Sequence, residues 1–211
     1  MKLYGFPPSP NTWKVRAVAA HLGLGLDIEF VDLTKGASRT PEFLKINPTG
    51  RTPVLVDGDF TLWESNAIMQ YLASKKPNAL WPDDARARAD IARWISWQLA
   101  HWEKDGVAPI LFERLVKQVV GMGPPDETVI AKALDCFNKE AAVLDAHLGK
   151  QPYLVGKDIT IADFAVASPL FYADRCNLPL ASYPNIRAWF GRVSALPAWQ
   201  QSAPVFPAAA A

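Results

Sequence analysis

Ser9-Pro10-Asn11-Thr12 sets hydroxyl and amide side chains around a proline, between a short apolar-aromatic stretch and a run with helical spacing. Donors at the partly positive start of a helix can hold an anion. The only two cysteines, Cys136 and Cys176, lie far from this loop. A thiol cycle run by the protein itself is therefore excluded, and the loop suits a thiolate brought in by another molecule. Two further places carry chemistry. At Glu64-Ser65 a serine suits a helix N-cap, where free N–H groups attract a carboxylate. The plain alternative is a cap beside a solvated acid with no ligand. Pro53 stands just before an apolar run, where a residue without an N–H belongs at the start of an edge strand or in some special backbone arrangement.

These residues need a scaffold, and the pattern of the chain supplies one. Lys2 to Gly5 can be a first strand. Val15, Val18, Ala19 and Leu22 recur at helical spacing within Thr12 to Leu22, and Gly23 can cap that helix. Asp27 to Val31 alternates polar with apolar, as a second strand does, which makes a βαβ unit with a parallel pair. A connecting stretch with room for a short helix follows. Two apolar runs then flank Asp57-Gly58, a strong hairpin signal. Ala67, Ile68, Tyr71 and Leu72 mark the next helix. The order βαβ, connection, ββα predicts a thioredoxin-like domain over residues 1–76. Pro77, Asn78 and Pro82 mark a linker over 77–84.

From 85 to 211 the strand signals fade, and an all-α helical domain is expected. Its long helices span Asp84 to about Val120, bent near Gly106 or Pro109, and Thr128 to Leu148. Thr160-Ile161-Ala162-Asp163 opens a third in the manner of a capping box, with Asp where Glu or Gln is usual. Pro184 to Leu196 makes another, and the Ala208 to Ala211 tail is expected to fray.

Charge narrows the function classes. Lys and Arg number 22 against 21 Asp and Glu, for a net charge of +1, so neither nucleic acid nor a charged membrane surface is expected as a partner. Prolines arrive too early for a signal peptide, and no apolar run reaches the roughly 20 residues of a spanning helix. Two cysteines without a CxxC pair point to a reducing, cytoplasmic setting, with both as small buried hydrophobes. No metal constellation is present, and a lone His101 reads as structural.

The stretch Asn47-Pro48-Thr49-Gly50-Arg51-Thr52-Pro53-Val54-Leu55, followed by Asp57-Gly58, Leu62, Glu64-Ser65, Ala67-Ile68 and Tyr71-Leu72, resembles the NPxGxxPxLxDGxxxLxESxAIxxYL signature of cytosolic glutathione transferases. Thr160 to Asp163 resembles the family's helix-capping motif, and the resemblance covers nearly the whole chain in order. Ser9 to Val15 resembles the serine-type members, phi-like or of a related bacterial class. The resemblance implies a glutathione transferase fold: an α/β thioredoxin-like N-terminal domain that grips glutathione, followed by an all-α helical C-terminal domain. It also implies a homodimer, glutathione as a substrate with no tightly bound cofactor, and conjugation of an electrophilic, mostly apolar small molecule.

Residue by residue, the resemblance makes Ser9 the donor to the glutathione sulfur, with Asn11 as its competitor and Tyr4 structural. It makes Pro53 cis, with Thr52 before it, so that the N–H and C=O of Val54 face outward and pair with the cysteinyl part of the tripeptide. It gives the γ-glutamyl carboxylate to Ser65 and the nearby ammonium to Glu64. Arg51 is a candidate for the glycine carboxylate and Arg39 a further one; each can instead be a solvated surface arginine, a reading that suits Arg39 better than Arg51. Phe6, Pro8, Trp13, Trp102 and Phe112 are candidates to line an electrophile pocket. Trp94, Trp97, His101 and Trp102 recur at helical spacing, so most of that stripe belongs to a core. Two other readings stay open: a non-catalytic ligand-binding or interaction protein of this fold, and a glutathione-dependent disulfide reductase or dehalogenase.

Overall fold

The computed structural model describes residues 1–204; the expected frayed tail from Ala208 lies outside them. The chain forms two compact units: Met1–Pro77 together with the described part of the segment from Ala195, and Asn78–Ser194.

The first unit is built on strands β1 (Lys2–Gly5), β2 (Asp27–Phe30), β3 (Val54–Asp57) and β4 (Phe60–Trp63), in the order β2-β1-β3-β4. The β1–β2 pair is parallel because helix α1 (Pro10–His21) carries the chain across, and the other two pairs are antiparallel. Alternation sorts the side chains. Leu3 and Leu55, paired in register, are fully buried. The next pair, Tyr4 and Val54, joins Val31 and Phe43 in a separate cluster, to which helix α2 (Pro41–Ile46) brings Phe43 and Ile46. Helix α3 (Ser65–Ser74) packs on α1.

Two expectations shift here. Strand β2 is exposed along its whole length, with Phe30 at 58%. Its alternation marks an edge strand open on both faces, and the buried residue is Val31, just past it. The segment after Ala195 groups with the first unit rather than with the helical one. Its short helix Pro197–Gln201 packs on α1: Trp199 lies against Trp13, ring centroids 4.0 Å apart, and its carbonyl accepts the Trp13 indole N–H at 3.2 Å.

The second unit is helical. Helix α4 begins at Ala85, where the Asp84 carboxylate accepts the Ala87 N–H at 2.7 Å, and the helix runs on to Val120. No sharp break occurs at Gly106 or Pro109. The hydrogen bonding widens instead, to i→i+5 spacing over Gln98–Val107 and Phe112–Val116, on either side of the proline that cannot donate. The helix Glu127–Leu148 packs along it, and Trp102 and Phe137 meet between them at 5.0 Å.

The helix Ile161–Ala167 is fully buried and is held from its first turn. The Asp163 carboxylate, with no solvent exposure, accepts the Thr160 N–H at 2.8 Å, the Thr160 hydroxyl at 3.1 Å, the Leu154 N–H at 2.9 Å and the Trp189 indole N–H at 2.9 Å. Burial pushes this carboxyl up, against the four donors that pull it down. A carboxylate is the one side chain that can accept from all four without presenting a donor of its own. Asp163→Ala strands four buried donors, so urea unfolding should show a loss of about 3 kcal/mol or more. A loss under about 1 kcal/mol would show that this carboxylate does not organise the unit.

Candidate functional site

The site starts where β1 gives way to α1. Gly5 makes the approach possible, because a Cβ there would stand 2.5 Å from Thr12 Cγ2. The Thr12 hydroxyl then accepts the Phe6 N–H at 3.3 Å, and the Ser9 N–H closes the turn onto the Phe6 carbonyl at 2.8 Å. Ser9 is the extended N-cap (φ −72°, ψ 129°) and Pro10 the first helical residue, two positions before the start read from periodicity. Proline suits that place, since its absent N–H would have had no partner there. The Ser9 Oγ accepts the Asn11 N–H at 3.3 Å. Its own proton is left to donate elsewhere.

Ser9 lines a cavity of about 370 Å³ together with Leu33, Gly36, Ser38, Arg39, Gly50, Arg51 and Thr52. Two cations and a helix N-terminus on one cavity make it suited to an anionic ligand. The turn that carries Arg51 is fixed by Asn47, a residue only 1% exposed. Its Nδ2 donates to the Arg51 carbonyl at 2.8 Å, and its Oδ1 accepts from the Thr49 N–H and hydroxyl at 3.0 and 2.9 Å. Arg39 lies over the same turn and donates through Nη1 to the Thr49 carbonyl at 3.2 Å.

The Thr52–Pro53 bond is cis. Val54, however, is fully buried inside the ladder, with Tyr4 opposite on one side and Trp63 on the other. A strand residue flanked on both sides has no free edge to offer a peptide, so the outward-facing role expected of Val54 does not fit its place. Thr52 lies off the ladder, lines the cavity, and makes no hydrogen bond to any described residue.

Helix α3 approaches from the far end of β4. Its N-cap is Glu64 rather than Ser65, and Glu64 takes φ 73°, ψ 109°, a region non-glycine residues rarely occupy. Such a conformation costs on the order of 1–3 kcal/mol and tends to mark functional positions. Ser65 is the first helical residue, and its hydroxyl donates to Asn11 Oδ1 at 3.1 Å. The N-termini of α1 and α3 are thereby joined through side chains.

Of the residues read as lining an electrophile pocket, two lie in cores. Trp13 is fully buried on Trp199, and Trp102 is fully buried with its indole N–H on the Val166 carbonyl at 3.2 Å. Helical periodicity marks a buried face and an aromatic-lined pocket alike, which is why they were indistinguishable in sequence. Phe6 is half-buried and stacks on Phe30 at 6.1 Å, Pro8 is half-buried, and Phe112 is 40% exposed. The sequence reading missed Leu33, Gly36 and Ser38. Leu33 and Ser38 sit on two single-turn helices, Leu33–Lys35 and Ala37–Arg39, too short to leave a periodic signal, and Gly36 joins the two. Burial pushes the Cys176 thiol up, away from the thiolate a nucleophile needs, and Cys136 is half-buried. Among the described residues no cluster of His, Cys, Asp or Glu could hold a metal ion, and no helix is long and apolar enough to cross a membrane.

Family models described as "Glutathione S-transferase, N-terminal domain" and "Glutathione S-transferase, C-terminal domain" match residues 1–74 and 105–197. Glutathione S-transferase 3 of Zea mays is 38% identical over 98% of this chain and 95% of its own length. Among solved structures, glutathione transferase F7 from Populus trichocarpa superposes with a TM-score of 0.89, at 28% identity, over 95% of this chain and 96% of that one. A glutathione S-transferase-I bound to lactoylglutathione gives 0.86 at 30% identity, over 96% and 97%.

Gly50 carries a direct test of how the cavity rim is built. It has φ +63°, and a Cβ there would stand 2.6 Å from Arg39 Nη1. Gly50→Ala should cost about 1–2 kcal/mol in urea unfolding from the left-handed backbone alone. A further part of the penalty should vanish when Arg39 is also alanine, because the clash goes with it. Equal penalties in both backgrounds would show that Arg39 does not rest on Gly50.

Proposed function

The chain belongs to the glutathione S-transferase family and is a glutathione transferase, and from that premise we propose which of its residues bind and activate the thiol. The carrying observation is the Ser9 hydroxyl, held by the Asn11 N–H at the head of α1 and open to the cavity shared with Arg39, Arg51 and Thr52. Glutathione lies along this face with its sulfur at Ser9. Its cysteinyl backbone pairs with the free N–H and C=O of Thr52, as a strand adds to a sheet edge. The glycine carboxylate goes to the arginines. The γ-glutamyl carboxylate meets the N–H groups and hydroxyl at the start of α3, and Glu64 faces the ammonium.

A free cysteine thiol ionises near ~8.5, so little thiolate exists at neutral pH. One hydroxyl hydrogen bond and the positive end of α1 together favour the anion by on the order of 1.5–3 kcal/mol, one to two pKa units. At neutral pH one unit leaves about a quarter of the thiol ionised, and two units make the thiolate the major form. The sulfur lone pair then forms a bond to an electrophilic carbon, the leaving group departs with its electron pair, and the thiol proton goes to solvent. Ser9 donates throughout and does not lose its proton. The acceptor is a small apolar electrophile, and no tightly held cofactor takes part.

Pairing into a homodimer and a cytoplasmic location belong to the same reading. In support of pairing, β4 is a free sheet edge, with Phe60 44% and Trp63 40% exposed.

Ser9→Ala should lower kcat for conjugation of an aryl halide by about ten- to a hundredfold, with KM for glutathione changed less than about threefold. Steady-state kinetics check this directly. Full activity in Ser9→Ala with loss in Asn11→Ala would move the sulfur contact to Asn11. Failure of the wild-type protein to bind immobilised glutathione would overturn the binding site itself.

A further inference from the structure

The chain leaves the first unit at Pro77 and returns to it at Ala195, where its short last helix packs on α1. Helix α1 is buried on two opposite faces. At ~100° per residue, Val15, Val18, Ala19 and Leu22 line one side, while Trp13 and Ala17 line the other. All six are at most 5% exposed. Trp199 covers the second side. It is buried itself, its ring centroid lies 4.0 Å from that of Trp13, and its carbonyl accepts the Trp13 indole N–H at 3.2 Å. Trp13 is also tied to Ser9, because its backbone N–H donates to the Ser9 carbonyl at 3.0 Å and closes the first turn of α1. That turn is held on one side by the Thr12 hydroxyl, which accepts the Phe6 N–H, and on the other by Trp199 through Trp13. We infer that Trp199, close to the far end of the chain, is a positioning residue for the thiol chemistry: it fixes the turn that carries Ser9 without itself lining the cavity.

The inference rests on the proposed placement of the glutathione sulfur at Ser9. A hydroxyl and a helix N-terminus favour a thiolate only where their donors point at it, since hydrogen bonds weaken steeply as the angle falls away. The field of the helix end is likewise confined to its first turn, the turn that Trp13 closes. Removing the Trp199 ring opens a void against Trp13. A close-packed interior fills such a void only by shifting the elements around it, and here the element that shifts carries Ser9. The groups proposed for the two carboxylates are fixed separately. They sit at the start of α3 and on the arginines, which bond to Asn47 and Thr49. Loss of the brace therefore acts on thiol ionisation and kcat more than on binding. A contact that only stabilises the fold would leave thiol ionisation unchanged.

Two variants of the full chain test this. Trp13→Phe keeps an aromatic ring and removes only the N–H given to the Trp199 carbonyl, and Trp199→Ala removes the covering ring. The readout is the pKa of the bound glutathione thiol, followed by thiolate ultraviolet absorbance against pH, alongside kcat and KM for conjugation of an aryl halide. Trp199→Ala should raise the thiol pKa by about one unit and lower kcat about tenfold at pH values below it, where thiolate is scarce. Trp13→Phe should raise the pKa by about half a unit. In both, kcat should recover as the pH rises past the shifted pKa, and KM for glutathione should change less than about threefold. Trp199→Phe, which keeps ring and carbonyl, should restore the wild-type pKa. In a Ser9→Ala background the Trp199→Ala shift should shrink, because it acts through the turn that carries Ser9. An unshifted thiol pKa in either tryptophan variant, whatever its stability in urea, would overturn the inference, as would an undiminished shift without the Ser9 hydroxyl. If Trp199→Ala does not fold, Trp13→Phe decides alone. Ser9→Ala separates the two readings: a wild-type thiol pKa there defeats the sulfur placement, whereas a raised one with unshifted tryptophan variants defeats the brace alone.

Discussion

The start of α1 is the constraint on which the rest of the site depends. A helix N-terminus presents N–H groups without partners and a partial positive charge, wherever the chain leading into it allows close approach. Here Gly5 permits that approach, Thr12 ties the helix to the end of β1, and Ser9 caps it. No cysteine occupies this end. The field that in a redox protein would favour the protein's own thiolate is left free for a thiolate from outside. Everything else surrounds that point: the arginines on the cavity rim, Thr52 off the ladder, and α3 arriving through the forced backbone of Glu64.

Polar groups are used here in two opposite ways. In the helical unit, the Asp163 carboxylate is saturated with donors and sealed from solvent, so it fixes one arrangement. In the first unit, Ser9 and Ser65 are satisfied only in part. Each keeps capacity that a ligand can take up, and Glu64 holds a backbone conformation worth on the order of 1–3 kcal/mol of strain. Complete satisfaction gives rigidity, and incomplete satisfaction leaves room for binding.

Local signals in the sequence were enough to place most of the scaffold. The Asp57-Gly58 hairpin, the βαβ order and the capping residues Thr160 and Asp163 each act within a few positions, so spacing alone reveals them. What stayed hidden depends on distant partners. The return of Trp199 onto Trp13 spans 186 positions and leaves no periodic trace. Trp102 and Trp13 belong to cores although they look like pocket residues, and β2 alternates although both its faces are open. Ser65 was read as a cap, but the irregular Glu64 takes that position, which propensity alone does not anticipate. Val54 was expected to face outward, and only the pairing register shows that it lies inside the ladder while Thr52, two residues earlier, lies off it.

The central claim is that the Ser9 hydroxyl, rather than the Asn11 amide, holds the thiolate. A crystal structure of this protein with glutathione bound tests that most directly. The sulfur should lie about 3 Å from Ser9 Oγ and beyond hydrogen-bond reach of the Asn11 amide. Sulfur resting on Asn11 Nδ2, with Ser9 turned away, would contradict the account.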